Sequence, residues 1–445
     1  MARAPESSGS VPSVYERSRR LFERAARVMP RGNSRHSVYF APHPLYCLSG
    51  SGCRVIDADG TERIDFVNNY SSLIHGHGHP AVLAALHRQA DRLVAVGMPT
   101  EVEVELAELL CGRIESVEHV RFTNSGTEAV MMAVKTARAH TLRPKIAKFE
   151  GCYHGTYDPV EVSQTPHPES WGPADAPASV ALSRGTPDSI LSDTVILPWS
   201  DAAAVRRILE AHRRELACII IDLAPAHLGY LEADEGVLAV LAEFCDSSGA
   251  LLICDEVYSL RVGFNGAQHR RQLRPDITVM GKIIGGGLPI GAVGGRRDVM
   301  SVFDPLPSGP AVVHGGTYNA NPLSMAAGHA SMLALTREQI ARLEQLGEYL
   351  RTELRLLAKK HRVQLVIGGL ASTISFSFGT GPLRDYRDRA VLADQRRKVG
   401  MLHRLLLDRG ILIASQGLAV LSTAMDKAEA DAFLAAADDS FPKLS

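Results

Sequence analysis

Lys282 stands in the run VMGKIIGGGLPIG, which is otherwise apolar residues and glycine. An ammonium in such a setting loses hydration on burial, so it lies at the surface, is paired with an anion, or is consumed by chemistry. Three further stretches set polar groups at the ends of apolar runs. HVRFT leads into NSGTEAVMMAVKTAR, where Ser125, Gly126 and Thr127 precede small residues at a helix start. Free N–H groups, two hydroxyls and the positive end of the helix dipole make an anion site there, most simply for a phosphate, although an ordinary helix cap has the same composition. KIAKFE leads into GCYHG and puts Tyr153 and His154 at the same rim. An aromatic ring among glycines can face a planar ligand or pack in the core. ALLICDEV ends in Asp255 and Glu256. A carboxylate buried there needs a partner to stay ionised, whereas one in a cap or surface turn does not.

For these four stretches to meet, a common scaffold must carry them. The apolar strands HVRFT, KIAKFE, TVILP, ACIIID, ALLICDEV and ITVMG alternate with helical stretches, the pattern of an α/β fold whose mostly parallel central sheet has helices on both faces. Ligands in that architecture bind beyond the C-terminal strand ends, where the four stretches fall. Residues 1–95 read as an N-terminal segment belonging to a smaller domain, with an amphipathic helix over 14–28 and an antiparallel hairpin turning at Asp59-Gly60. Residues 96–325 read as the large ligand-binding domain, whose first helix opens on a Thr100/Glu103 capping box. Residues 326–445 read as an α+β domain with a long charged helix from Arg337, strands in LVIGGL and STISFSF, and a final helix. The segment 163–192, rich in Pro, Ser and Asp, is a long irregular insertion of the kind that forms a lid or stays disordered.

Composition narrows the partners. The 48 Lys+Arg balance 49 Asp+Glu, which argues against a nucleic-acid or membrane surface and for small-molecule substrates. The seven cysteines never fall in CxxC spacing, so neither a disulfide framework nor a zinc knuckle is indicated. The start of the chain lacks an apolar signal core and its first ten residues or so read as loose; no apolar run nears the ~20 residues that span a bilayer. A cytoplasmic protein is expected. His75, His77 and His79 have an i, i+2 spacing that could hold a metal, but Pro80 behind them suits a helix start, and they read as structural.

A phosphate cradle, an aromatic plate, a buried carboxylate and a desolvated lysine at one sheet edge are the parts needed to hold pyridoxal 5'-phosphate. Lys282 would join its aldehyde in an imine, which makes burial tolerable, and Asp255 would keep the ring nitrogen protonated. NSGTEA, KFEGCYHG, LLICDEV, GKIIGGGLPIGAVGG and HGGTYNANPLSMAAG resemble the motifs of class III aminotransferases, the fold type I pyridoxal-phosphate enzymes, over nearly the whole chain. Within that family the chain resembles glutamate-1-semialdehyde aminomutase and the β-amino-acid (β-phenylalanine-type) aminotransferases.

The resemblance implies that Lys282 carries the cofactor, Asp255 meets its ring nitrogen, Ser125, Gly126 and Thr127 meet its phosphate, and Tyr153 stacks on its ring beside His154. It also implies a homodimer, with Thr317 reaching the neighbouring subunit's phosphate, and Arg35 gripping a substrate carboxylate. Departures bear on the substrate. Asp222-Leu223 stands where the family usually has Glu-Pro, His227 replaces the amide that touches the ring oxygen, and Gln416 stands for a second carboxylate-binding arginine. With Gln416 there, 2-oxoglutarate is expected to be a poor acceptor unless another cation, Arg261 for instance, serves instead. Amino exchange between a carboxylated amine and a carbonyl acceptor is the leading reading. Intramolecular aminomutase transfer shares every catalytic part, and a non-catalytic cofactor-binding dimer is a third reading.

Overall fold

The computed structural model describes residues 15–379, 381–390 and 393–444. The first helix runs over Glu16–Ala25; Val14 and the residues read as loose lie outside the described ones. Near the N-terminus come strands β1 (Cys47–Ser51), β2 (Arg54–Asp57) and β3 (Glu62–Asp65). The middle of the chain supplies β4 (His119–Thr123), β5 (Lys145–Phe149), β6 (Thr194–Leu197), β7 (Leu216–Ile221), β8 (Leu251–Asp255), β9 (Ile277–Gly281) and β10 (Gly291–Gly295). Last come β11 (Leu365–Gly368), β12 (Thr373–Phe378), β13 (Ile411–Leu412) and β14 (Leu418–Val420).

The seven middle strands form one sheet in the order β4-β10-β9-β8-β7-β5-β6. The pairs from β9 to β6 are parallel, and β10 alone runs antiparallel to both its neighbours. Side chains alternate across this sheet as strand geometry requires. Cys218, Ile220 and Ile253 pack with Ala129, Ala133 and Ala137 of the helix Gly126–Thr141 on one face. Ile219, Ile221, Leu252 and Cys254 pack on the other with Val205 and Leu241, from the helices Ala202–Ala211 and Glu235–Ser248. Burial on both faces is why these strands read as continuous apolar runs. The sequence reading lacked β10, whose GAVGG carries little strand propensity. Close approach explains the glycine: a Cβ on Gly291 would lie 2.0 Å from the Ser125 carbonyl oxygen.

The hairpin forms as expected, with Val55 opposite Arg63 and Gly60 at φ 87° in the turn. It continues through β13, which pairs in parallel with β3, so residues from both ends of the chain share one sheet. Two expectations are corrected. The helix Glu101–Arg113 starts after Thr100, but the Thr100 hydroxyl makes no cap bond; the turn closes through the Glu103 N–H and the Thr100 carbonyl at 3.2 Å. The insertion 163–192 is ordered. The Ser163 hydroxyl donates to the Ala178 carbonyl (2.7 Å) and accepts from the Val180 N–H (2.9 Å). Arg387, in the helix Tyr386–Arg389, donates to the carbonyls of Trp171, Gly172 and Pro173.

Candidate active site

A cavity of about 550 Å³ opens beyond the C-terminal ends of the parallel strands. The turn after β4 brings Ser125, Gly126 and Thr127 to it, and the turn after β5 brings Tyr153 and His154. Asp222 follows β7, Asp255 ends β8, Lys282 follows β9, and His227 and Arg35 complete the expected set. No residue of the 163–192 insertion is among the lining residues.

Ser125 caps the helix Gly126–Thr141, accepting the Glu128 N–H at 3.2 Å, so the cap and the anion-site readings hold together. Gly155 has φ +91° and lies so close that a Cβ would sit 2.5 Å from Thr127 Oγ1 and 2.9 Å from Thr127 Cα. The loop that carries Tyr153 is thereby pressed against the helix terminus. Lys148 holds that loop from below: fully buried, its Nζ donates to the carbonyls of Cys152 (3.0 Å) and Val162 (2.7 Å). Burial pushes the Lys148 ammonium down to about 8. Nothing in the sequence signals this, since a lysine in a strand reads as exposed.

Asp255 is fixed twice. His154 Nδ1 lies 2.7 Å from Asp255 Oδ2, and the Val257 N–H donates to Oδ1 at 3.0 Å. Burial lowers the His154 pKa while the Asp255 contact opposes it. Its Nε2 has no partner. Asp222 accepts the Ala224 N–H at 3.0 Å. Burial, then the neighbouring Asp255 charge, raises its pKa to about 7. Tyr153 and His227 stack with ring centroids 5.3 Å apart and planes at 21°.

Lys282 begins a short 3-10 turn with φ 49°, a left-handed conformation costly for a side chain of this size. Burial depresses its pKa, opposed by Asp255 and Asp222. Its Nζ stands 5.1 Å from the centre of the Tyr258 ring, whose hydroxyl lies 2.7 Å from that of Tyr230. Arg35 is exposed at the cavity and donates to Asn69 Oδ1 at 2.7 Å. Asn69 belongs to four consecutive left-handed residues, Asn68, Asn69, Tyr70 and Ser71. Such a run is rare for L-residues, and the Asn-Asn pair was the available signal, because asparagine tolerates this region best.

Some expected residues stand elsewhere. Gln416 is exposed and does not line the cavity; Thr317, expected at a neighbouring subunit's phosphate and not at this cavity, is exposed. Gln416 Nε2 donates to the Ser37 carbonyl at 3.4 Å. Arg261 is fully buried and donates to Ser372 Oγ, the Ser71 carbonyl and the Leu421 carbonyl, so it is a structural tie and not a substrate ligand. Glu256 caps a helix, accepting the N–H groups of Ala267 (2.9 Å) and Gln268 (2.7 Å). His75 is bonded to Thr423 and Ser331, His77 to Asp65, and the His79 ring lies against His75 at 4.7 Å between centroids with its plane tilted by 38°. Pro80 opens the helix Pro80–Arg92.

The residues around the cavity fit pyridoxal 5'-phosphate. The Ser125–Thr127 terminus suits a dianion, Tyr153 offers a ring face, Asp255 offers a fixed negative charge, and Lys282 an amine of reduced basicity.

Residues 39–424 match the model of the class-III aminotransferase family. The chain is 40% identical over 377 residues (84% of this chain, 87% of the relative) to a glutamate-1-semialdehyde 2,1-aminomutase of Nitratidesulfovibrio vulgaris (strain DP4). Among solved structures, an omega-transaminase from Sphaerobacter thermophilus is 46% identical, with TM-score 0.92 over 96% of this chain and 97% of that one. A β-phenylalanine aminotransferase from Variovorax paradoxus is 33% identical, with TM-score 0.86 over 96% of this chain and 94% of that one. The strand ends, the cavity they enclose and these matches agree: the chain belongs to the class-III aminotransferases.

Proposed function

We propose that the protein is a pyridoxal 5'-phosphate-dependent aminotransferase that moves an amino group from a carboxylated amine, of the β-amino-acid type, to a carbonyl acceptor. The convergence of Lys282, Asp255 and the Ser125–Thr127 helix terminus on one cavity carries this reading. When bound, the cofactor supplies a carbonyl to carry the amino group and an electron-withdrawing ring. Ser125, Gly126 and Thr127 would hold its phosphate, Tyr153 would pack on its face with His154 and His227 at the rim, and Asp255, oriented by His154, would favour a positive charge on its ring nitrogen. Lys282 would hold the cofactor and would move a proton at the substrate carbon that bears nitrogen. Arg35, turned by Asn69, offers a planar fork to the substrate carboxylate.

The reading includes a homodimer: Val313 and Tyr318, beside Thr317, are 79% and 63% exposed, an apolar surface that a second copy would cover. It also places the enzyme in the cytoplasm, where seven free cysteines are stable. No helix among the described residues is long and apolar enough to cross a membrane. Aminomutase transfer is the second reading, favoured by the 40% identity to the aminomutase named above.

Borohydride reduction of the yellow holoenzyme followed by peptide mapping should find the cofactor on Lys282, and mixing with 3-amino-3-phenylpropanoate should bleach the absorbance band. An adduct on Lys145 or Lys148 would overturn the assignment. Bleaching by glutamate-1-semialdehyde or diaminovalerate alone would favour the aminomutase.

A further inference from the structure

Tyr258 follows Asp255 by three residues and lines the cavity, yet the proposed function leaves it unused. The Lys282 Nζ stands over its ring, 5.1 Å from the centre, within the reach at which an ammonium is drawn to an aromatic face. The turn that carries this ring is firmly held. The Ser259 hydroxyl donates to the Asp255 carbonyl at 3.2 Å, the Leu260 N–H donates to the Glu256 carbonyl at 3.1 Å, and buried Arg261 ties the turn to the Ser71 and Leu421 carbonyls. At the far end of the ring the Tyr258 hydroxyl meets that of buried Tyr230, and the two rings lie 5.5 Å apart between centroids. The face offered to Lys282 is therefore fixed.

Few titratable groups face Lys282. Asp255 and Asp222 favour its charge, acting across space and not through hydrogen bonds, and His227 is disfavoured from charging by it. β9 and β10, which flank its turn, carry no titratable side chain. The helix Pro322–Ala334, whose Ala327 presses on Gly286 beside that turn, brings only His329, which turns to Glu105 at 3.8 Å. An ammonium set against Asp255 would neutralise the charge meant for the cofactor's ring nitrogen. Over the Tyr258 face it keeps its own charge and leaves Asp255 free, and the phenol stays neutral because burial raises its pKa.

We infer that Tyr258 is a positioning residue for Lys282, its ring face holding the ammonium at the cavity wall whenever the side chain is free of the cofactor. The inference rests on the reading of Lys282 as the amine that bonds the cofactor.

The test is trace acetylation of the full-length, cofactor-free protein with acetic anhydride across pH, with modification of Lys282 read by mass spectrometry against Lys145. Removing a face that favours the ammonium should lower the pH at which Lys282 becomes reactive. In Tyr258→Leu the midpoint should fall by about half a pH unit or more, and in Tyr258→Phe, which keeps the ring, it should stay within about 0.2. A ring that only fills space predicts the opposite sign for Tyr258→Leu, because the smaller side chain admits water and relieves the burial that depresses the Lys282 pKa. Tyr258→Met serves where the Leu variant does not fold and should show the same fall. An unchanged or raised midpoint in the Leu or Met variant, or an equal fall in Tyr258→Phe, would overturn the inference. The profile is read without cofactor or substrate, so its failure is separate from that of the borohydride mapping and the amine bleaching that test the proposed function.

Discussion

Gly155→Ala tests whether the cofactor loop must press against the helix terminus. Two costs are separable. The first is conformational: at φ +91° an alanine side chain costs about 1–2 kcal/mol relative to a relaxed backbone. The second is steric: the new Cβ would stand 2.5 Å from Thr127 Oγ1 and 2.9 Å from Thr127 Cα. The hydroxyl can rotate away, but the Cα belongs to the helix and can yield only if the loop or the helix terminus moves, at about 1–3 kcal/mol. Either movement widens the space between Tyr153 and Ser125. Gly185→Ala is the matched control, with φ +86° and nothing within 4 Å of the new Cβ. It should bear the conformational cost alone. Fluorescence titration of the two apo variants with pyridoxal 5'-phosphate should show Gly155→Ala weakened on the order of 10-fold or more and Gly185→Ala unchanged. If both variants bind the cofactor like wild type, the close approach at Gly155 has no part in forming the cradle.

Arg35→Ala should raise the KM for 3-amino-3-phenylpropanoate by about 10- to 100-fold, the loss of one charge-assisted carboxylate contact, and leave 1-phenylethylamine almost unaffected; equal losses on both amines would make Arg35 a structural residue. Asp222→Asn should change how stability depends on pH. Because folded Asp222 keeps its proton up to about 7 against an ordinary 3.8, the folded state binds more protons in that window, so the wild type should lose stability as pH rises through it. Melting of the apo protein across this range should show that slope flattened in Asp222→Asn, and an unchanged slope would mean that Asp222 is ionised throughout.

The sequence makes the sheet legible because burial on both faces leaves long apolar runs, and makes the site legible because Lys282, Asp255 and Ser125 interrupt those runs at their ends. What it hides is set by contacts distant in sequence. β10 escapes notice because its glycines answer to the Ser125 carbonyl and to Asp276, not to strand propensity. Lys148 reads as a surface residue until the carbonyls of Cys152 and Val162 are seen to surround its Nζ. Gln416 lies just before Gly417, in the turn between Ala414 and Leu418, which bridge each other, and the side chain's direction there follows from that bridge.

The electrostatics around Lys282 join these observations. Burial drives Lys282 and Asp222 toward their neutral forms, while Asp255 is held by His154 and the Val257 N–H. An amine of lowered basicity has an available lone pair, the condition for covalent bonding to an aldehyde, and a left-handed backbone at Lys282 holds it at the cavity wall. Asp255 and Asp222 both oppose the loss of the Lys282 charge, and burial outweighs the two of them in lowering its basicity. The strain at Lys282 is sustained by β9 and β10, which flank its turn.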